Sequence, residues 1–297
     1  MKVFWRLKTA MMFAFMTGLL VAIGIAVGYV FNNVWAGFYV MLALSIGINI
    51  YSYFCSKKMA LAANKVHLIT RDEEPRLYDI VESLAIRADL PMPEVGISEV
   101  PMPNAFATGR NPKNAAVVAT RPLLDLLNDE ELEGVMAHEM SHVKNRDILV
   151  MSVASTLASI ISFVTRMGVY AAIFNSDNKN PAGLVILIIA DIAAPIAAAL
   201  IQLGVSRSRE FLADESGGRL TGKPMALANA LMKLEGGCTA SASMSGSYDR
   251  DSYSSVWITN PSGTKIKSTI SGLFRTHPST EDRVAKLREL DAELRGY

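Results

Sequence analysis

Between Thr9 and Ser56 the chain carries no Lys, Arg, Asp or Glu. A bilayer's hydrocarbon core is about 30 Å thick and takes about 20 apolar helical residues to cross. The run therefore has the length of two spans, with Asn32-Asn33 marking the turn between them. Lys2, Arg6 and Lys8 precede it as they would in a secretory signal. No small-residue cleavage site followed by a polar mature start interrupts the first span, so the segment reads as an uncleaved anchor.

Two more apolar stretches follow. Ile148 to Thr165 is uncharged and continues past Arg166 to Phe174, and Pro181 to Val205 is interrupted only by Asp191. A competing reading makes both of them buried helices of a soluble core. As spans, they place Arg166 and Asp191 against protein or a water-filled cavity, because an ionised group in hydrocarbon is costly. Basic residues cluster on one side of every span: Lys57, Lys58, Lys65 and Arg71 after the second, Lys144 and Arg146 before the third, Arg207 and Arg209 after the fourth. Asp177 and Lys179 cancel in the opposite loop. The positive-inside rule then puts both termini and both large polar segments in the cytoplasm.

The hydrophobic fraction of 51% reflects these stretches. A net charge of +1, with no basic stripe bearing interleaved aromatics, argues against a nucleic-acid partner. Two cysteines are too few for a disulfide framework or a thiolate metal site. Nothing in the sequence specifies an oligomeric state.

The chain accordingly divides into two N-terminal spans (1–56), a first polar segment (57–147), two further spans (148–205) and a second polar segment (206–297). In the first polar segment, Leu77, Ile80, Val81, Leu84 and Ala85 predict a helix over 72–88. Pro91, Pro93, Pro101 and Pro103 break the chain into extended pieces, and Val95–Ser98, Ala105–Thr108 and Ala115–Thr120 read as strands of a small sheet. Asn128 with Glu131 forms a capping-box pattern that opens a helix from about Asp129 to Arg146. The second polar segment predicts helices through Leu220, near Met225 to Leu234 and from Thr280 to Leu294. Between the last two, the Gly/Ser/Thr-rich stretch 236–272 predicts a long mobile loop.

Two of the four histidines fall in His138-Glu139-Met140-Ser141-His142. Positions i and i+4 share one helix face, so both imidazoles reach a single ion while Glu139 stands beside them as a candidate general base. A catalytic zinc takes three protein ligands and keeps one position open. The extended motif with a third histidine requires glycine at 145 and histidine at 148; Asn145 and Ile148 exclude it. Another arrangement takes a glutamate from a later helix, and Glu210 is the candidate, with Asp214 one turn on to hold a ligand's other ring N–H. The motif helix runs directly into the third span and Glu210 emerges directly from the fourth. Antiparallel packing of those spans would gather the ligands at the cytoplasmic membrane surface.

His-Glu-x-x-His followed by Glu-x-x-x-Asp, with spans in these places, resembles the M48 peptidases. Asn104-Ala105-Phe106-Ala107-Thr108-Gly109, His277-Pro278 and Arg283 match that family as well. The resemblance implies a mainly α integral membrane protein with a small β-sheet, its four transmembrane helices carrying a cytoplasmic gluzincin-type zinc metalloprotease domain. It implies one zinc per chain on His138, His142 and Glu210, with Glu139 as general base and acid and Asp214 beside the ligands. Asn104, Ala105, Phe106, Ala107 and Thr108 would be an edge strand that pairs with extended substrate backbone. His277 and Arg283 would stand near the site, His277 against the oxyanion. The implied activity is cleavage of misfolded or damaged membrane proteins in a bacterial inner membrane, a stress-response role with protein substrates and the lipid bilayer as partners.

Two other readings stay open at this point. One is a site-2-type intramembrane protease, although Glu130, Glu131, Glu133, Lys144, Arg146 and Asp147 crowd the motif. The other is a catalytically idle membrane scaffold.

Overall fold

Two apolar helices open the chain, α1 (Lys2–Val30) and α2 (Val34–Ala63). Asn32 turns the backbone through a left-handed conformation (φ 54°), which asparagine tolerates better than most residues. The Asn33 side chain accepts from the Ala36 N–H at 3.1 Å and so caps α2. The turn therefore falls where the sequence places it. Glycine permits close contact between the helices, since a Cβ on Gly24 would collide with the Gly37 carbonyl. Asn49 bridges them, donating to Thr17 Oγ1 at 2.9 Å.

The computed structural model describes residues 2–30, 32–154, 207–244 and 278–296. Its compact units are Met1–Ser56 and Lys57–Tyr297. Among the described residues, Val34–Ala63 is the helix long and apolar enough to cross a membrane, and the apolar part of α1 is the shorter Phe13–Ala22. The expected third and fourth spans lie outside the described residues beyond 154.

In the second unit, strands β1 (Val66–Leu68), β2 (Glu94–Ser98), β3 (Ala105–Gly109) and β4 (Ala115–Thr120) form one sheet in the order β1-β2-β4-β3. β2 and β4 run parallel, and the other two pairs are antiparallel. Three of these strands are legible as β-branched or alanine-rich runs between prolines; β1, only three residues long, is not. Helix α3 (Pro75–Ala88) starts with proline in its first turn and ends where Asp89 turns left-handed (φ 55°). It buries Leu77, Val81, Leu84 and Ala85, as the apolar spacing requires. A short α4 (Arg121–Leu126) follows β4 directly.

Helix α5 (Asp129–Asn145) has the expected capping box: Asn128 accepts from the Glu131 N–H while Glu131 accepts from the Asn128 N–H. It lies at the centre of the unit, burying Leu132, Val135, Met136, Met140 and Val143 against the sheet and the later helices. The expectation that it runs unbroken into the next segment is corrected. Arg146 adopts a left-handed conformation (φ 62°), its N–H returns to the His142 and Val143 carbonyls, and a new helix, α6, begins at 147 and is described to 154.

Helices α7 (Arg207–Thr221), α8 (Pro224–Met244) and α9 (Thr280–Arg295) complete the unit. α8 is longer than expected. Residues 236–244, assigned from composition to a mobile loop, continue the helix to Met244: Gly236 and Gly237 each cost about 1 kcal/mol relative to alanine, which weakens but does not by itself stop a helix that is already propagating. The rest of that loop, 245–272, lies outside the described residues.

Candidate metal centre

His138 and His142 project from one face of α5, and Glu210 reaches them from the first turn of α7. All three are buried, with one ligand-capable atom of each lying within 4.8 Å of the others. The two Nε2 atoms are 3.2 Å apart; His142 Nε2 is 3.5 Å from Glu210 Oε1 and His138 Nε2 is 3.8 Å from Glu210 Oε2. Ligand atoms about 2.0–2.1 Å from a tetrahedral zinc are about 3.3 Å from one another. Both the spacing and the donor set, two imidazoles and one carboxylate, suit that ion.

α7 reaches this position because Glu210, Asp214 and Gly217 fall at i, i+4 and i+7 along one stripe. A Cβ on Gly217 would sit 3.0 Å from the His138 amide nitrogen, so only glycine lets the two backbones come this close. A second glycine, Gly134, does the same between α5 and α8, where a Cβ would meet the Leu227 nitrogen at 2.9 Å.

Each imidazole is held from behind by a carboxylate. Asp214 Oδ1 lies 2.8 Å from His138 Nδ1, as the Glu-x-x-x-Asp spacing leads one to expect. Arg283, from α9, grips the same carboxylate with two donors, at 2.7 Å and 2.6 Å. On the other histidine, His142 Nδ1 lies 3.2 Å from Asp147 Oδ2, a contact that sequence reading missed. On a continuous helix, position i+5 would point about 140° away from His142; the left-handed turn at Arg146 brings Asp147 back. With each Nδ1–H donating to a carboxylate, the Nε2 lone pairs of the neutral rings would be available to a metal ion beside Glu210.

Burial and these neighbours set the protonation of the metal-free centre. Burial pushes the Glu139 carboxyl up to about 7; the Glu210 charge adds to this, while the His142 charge and an N–H donated by Ala107 oppose it. Burial alone would depress His142, but the Asp147 hydrogen bond and the charges of Glu210 and Glu139 raise it to about 9. His138 moves down, chiefly through burial. Asp214 resists burial and stays well below the usual carboxylate range because Arg283 is bonded to it.

Asn104 to Thr108 approach the same place. β3 is at the edge of the sheet, and every residue of it is buried. Asn104 O accepts from the Thr120 N–H, so residues 104, 106 and 108 face β4, while the amides of 105, 107 and 109 face outward. Those outward amides donate to Asn104 Oδ1 at 2.8 Å, to the Glu139 carboxylate and to Ser152 Oγ at 3.2 Å. The edge strand is thus tied directly to Glu139. Of the remaining expected site residues, Arg283 is buried against Asp214, and His277 lies outside the described residues.

The family model described as Peptidase family M48 matches residues 71–291. A protein named Protease HtpX homolog from Pyrococcus furiosus is 40% identical over 290 residues, covering 97% of this chain and 96% of that protein. A protein of the same name from Thermococcus kodakarensis is 42% identical over 298 residues, with 99% of both covered. The crystal structure of S. mikatae Ste24p aligns with TM-score 0.47 and 20% identity, over 96% of this chain and 65% of that one. With a family model spanning most of its length and relatives aligned end to end, the chain belongs to peptidase family M48 and is a metalloprotease.

Proposed function

We propose that the protein is a zinc-dependent, membrane-embedded endopeptidase in which His138, His142 and Glu210 hold one metal ion and Glu139 is the general base and acid. The observation that carries this reading is the convergence of the three ligand atoms within 4.8 Å, beside a buried Glu139. When bound, zinc supplies a Lewis acid for water and for the scissile carbonyl.

Glu139 takes the proton of the attacking water and returns one to the leaving amine. In the metal-free protein, burial holds this carboxyl up at about 7. Asp214, locked by Arg283, keeps the His138 ring in one orientation. β3 receives the substrate as an added strand through the outward-facing groups of residues 105 and 107, which gives broad side-chain tolerance because the bonds are made to backbone. A strand arriving at Ala107 takes over the amide that now donates to Glu139, so the carboxylate is released as substrate seats. His277 is assigned to the oxyanion.

The apolar helix Val34–Ala63 and the charge-flanked stretches after Ile148 support a multi-pass protein, and the basic flanks support a cytoplasmic site in an inner membrane. A site beside the bilayer suits misfolded or damaged membrane proteins as substrates. The deciding experiment measures zinc content and proteolysis of the full chain in detergent, wild type against Glu139→Ala. The expected result is one zinc in both and activity only in wild type. Equal activity in the variant would overturn the role of Glu139, and no zinc in either would favour a scaffold.

A further inference from the structure

Arg209 takes no part in the chemistry described so far, and Asp147 enters it only as the carboxylate behind His142, yet each adjoins a ligand-bearing element. Asp147 is the first residue of α6, and Arg209 immediately precedes Glu210 in α7. Both side chains are buried, at 1% and 7% exposure. Asp147 presents Oδ2 to His142 Nδ1 at 3.2 Å and Oδ1 to Arg209 Nη1 at 3.9 Å. One carboxylate therefore faces a ligand histidine on one side and, on the other, the guanidinium next to the third ligand.

The two histidines are not held alike. Asp214 is fastened to Arg283 by two bonds of 2.6 Å and 2.7 Å. The Asp147–Arg209 pair is longer, and among the described residues Asp147 Oδ1 has no hydrogen-bond partner. A buried carboxylate retained at an unsatisfied oxygen is costly unless the group has a use. The turn that delivers it is also unfavourable, since Arg146 is a non-glycine residue at φ 62°.

We infer that Asp147 and Arg209 are a pair of positioning residues: Asp147 fixes the His142 ring, and its charge contact with Arg209 sets the start of α7 so that Glu210 meets that ring. This inference rests on the metal-centre reading above. The left-handed turn at Arg146 is the device that puts Asp147 within reach.

The test compares wild type, Asp147→Asn, Asp147→Ala, Asp147→Glu, Arg209→Met and the Asp147→Ala/Arg209→Met double variant, each as full chain in detergent. Zinc affinity is read by chelator competition, the ligand field by the visible spectrum of the cobalt-loaded protein, and folding by circular dichroism without metal. Loss of an outer hydrogen-bond partner of a ligand typically weakens metal binding about 10–100-fold. Asp147→Ala is expected to fall in that range with an altered cobalt spectrum, and Asp147→Asn, which keeps the shape and can still accept from Nδ1, to fall less. Arg209→Met is expected to weaken binding by itself but to add nothing once Asp147 is gone. Glu210→Ala and His142→Ala serve as controls. If these bind zinc like wild type, the centre itself is misassigned. If they lose zinc while folded Asp147→Ala keeps wild-type affinity and spectrum, the positioning role alone is overturned. Additive losses in the double variant would also overturn the coupling of the pair.

Discussion

Gly217 lies against the backbone of His138, so closely that a Cβ there would come within 3.0 Å of the His138 nitrogen and 3.1 Å of the Ala137 carbonyl carbon. The obstructing atoms belong to a helix backbone and cannot move aside. Gly217→Ala should force α7 away from α5, destabilising the unit by about 1–3 kcal/mol and withdrawing Glu210 from the histidines. Thermal unfolding and zinc affinity measure the two effects. Unchanged zinc binding in Gly217→Ala would show that the close approach does not position the ligand.

Glu139→Gln preserves size and removes the proposed base. The expected loss in kcat is about 10²–10⁴-fold, with zinc retained at wild-type stoichiometry. Single-turnover cleavage of a fluorogenic peptide alongside metal analysis distinguishes a lost base from a lost metal.

Above pH 6.5 the metal-free protein should become less stable as pH rises. The folded Glu139 carboxyl, at about 7, is raised above its ordinary value of 4.5, so its contribution is full below 4.5 and is lost as pH passes through 7. His142, raised to about 9, contributes fully below 6.5 and loses that contribution on the way to 9. Asp214 has the opposite sign. Its carboxyl is depressed, so its contribution is present above 3.8 and is lost as pH falls through its lower folded value. His138, depressed by burial, also contributes above 6.5 and loses that contribution as pH falls, opposing Glu139 at low pH. Melting temperatures in chelator should therefore decline from pH 6.5 to 9. Zinc affinity should rise over the same interval, because the ligands bind metal deprotonated. A flat melting profile would contradict the protonation scheme.

Arg283 and Asp214 form a buried two-donor pair that only arginine can make. Arg283→Met leaves the Asp214 charge buried without its counterion and should cost about 3–5 kcal/mol. Arg283→Lys should recover only a fraction of this, since a lysine offers a point charge in place of a fork. Chemical denaturation of the metal-free variants measures both; full rescue by lysine would indicate that charge alone suffices.

Arg146 is exposed and sits at φ 62°. Glycine adopts that conformation freely, so Arg146→Gly should stabilise the turn by up to about 1 kcal/mol while leaving activity intact. Arg146→Pro, whose φ is locked negative, should destroy the turn, free Asp147 from His142 and abolish tight zinc binding.

How much of this was legible in the sequence depends on whether an interaction is local. The capping box at Asn128 and Glu131, the two histidines on one helix face, the turn at Asn32-Asn33 and the strands between prolines are set by residues within a few positions of one another, and periodicity and side-chain chemistry reveal them. Glu210 and Asp214 could be named because the helix following the fourth apolar stretch carries an acidic pair one turn apart, as in the M48 peptidases. Asp147 was legible only as a charge near the motif, since helical geometry points it away and a single left-handed residue, Arg146, reverses that. The role of Gly217 was equally hidden: glycine in a helix reads as weakness until the partner backbone is in place. Composition also misplaced the end of α8, because a Gly/Ser/Thr-rich run looks like a loop when its helical continuation to Met244 is set by propagation. Sequence by itself determined which residues can bind a metal and move a proton. Tertiary structure decided which of them meet, because the 3 Å separations between α5, α6 and α7 depend on backbone approach and turn handedness, which no local pattern encodes.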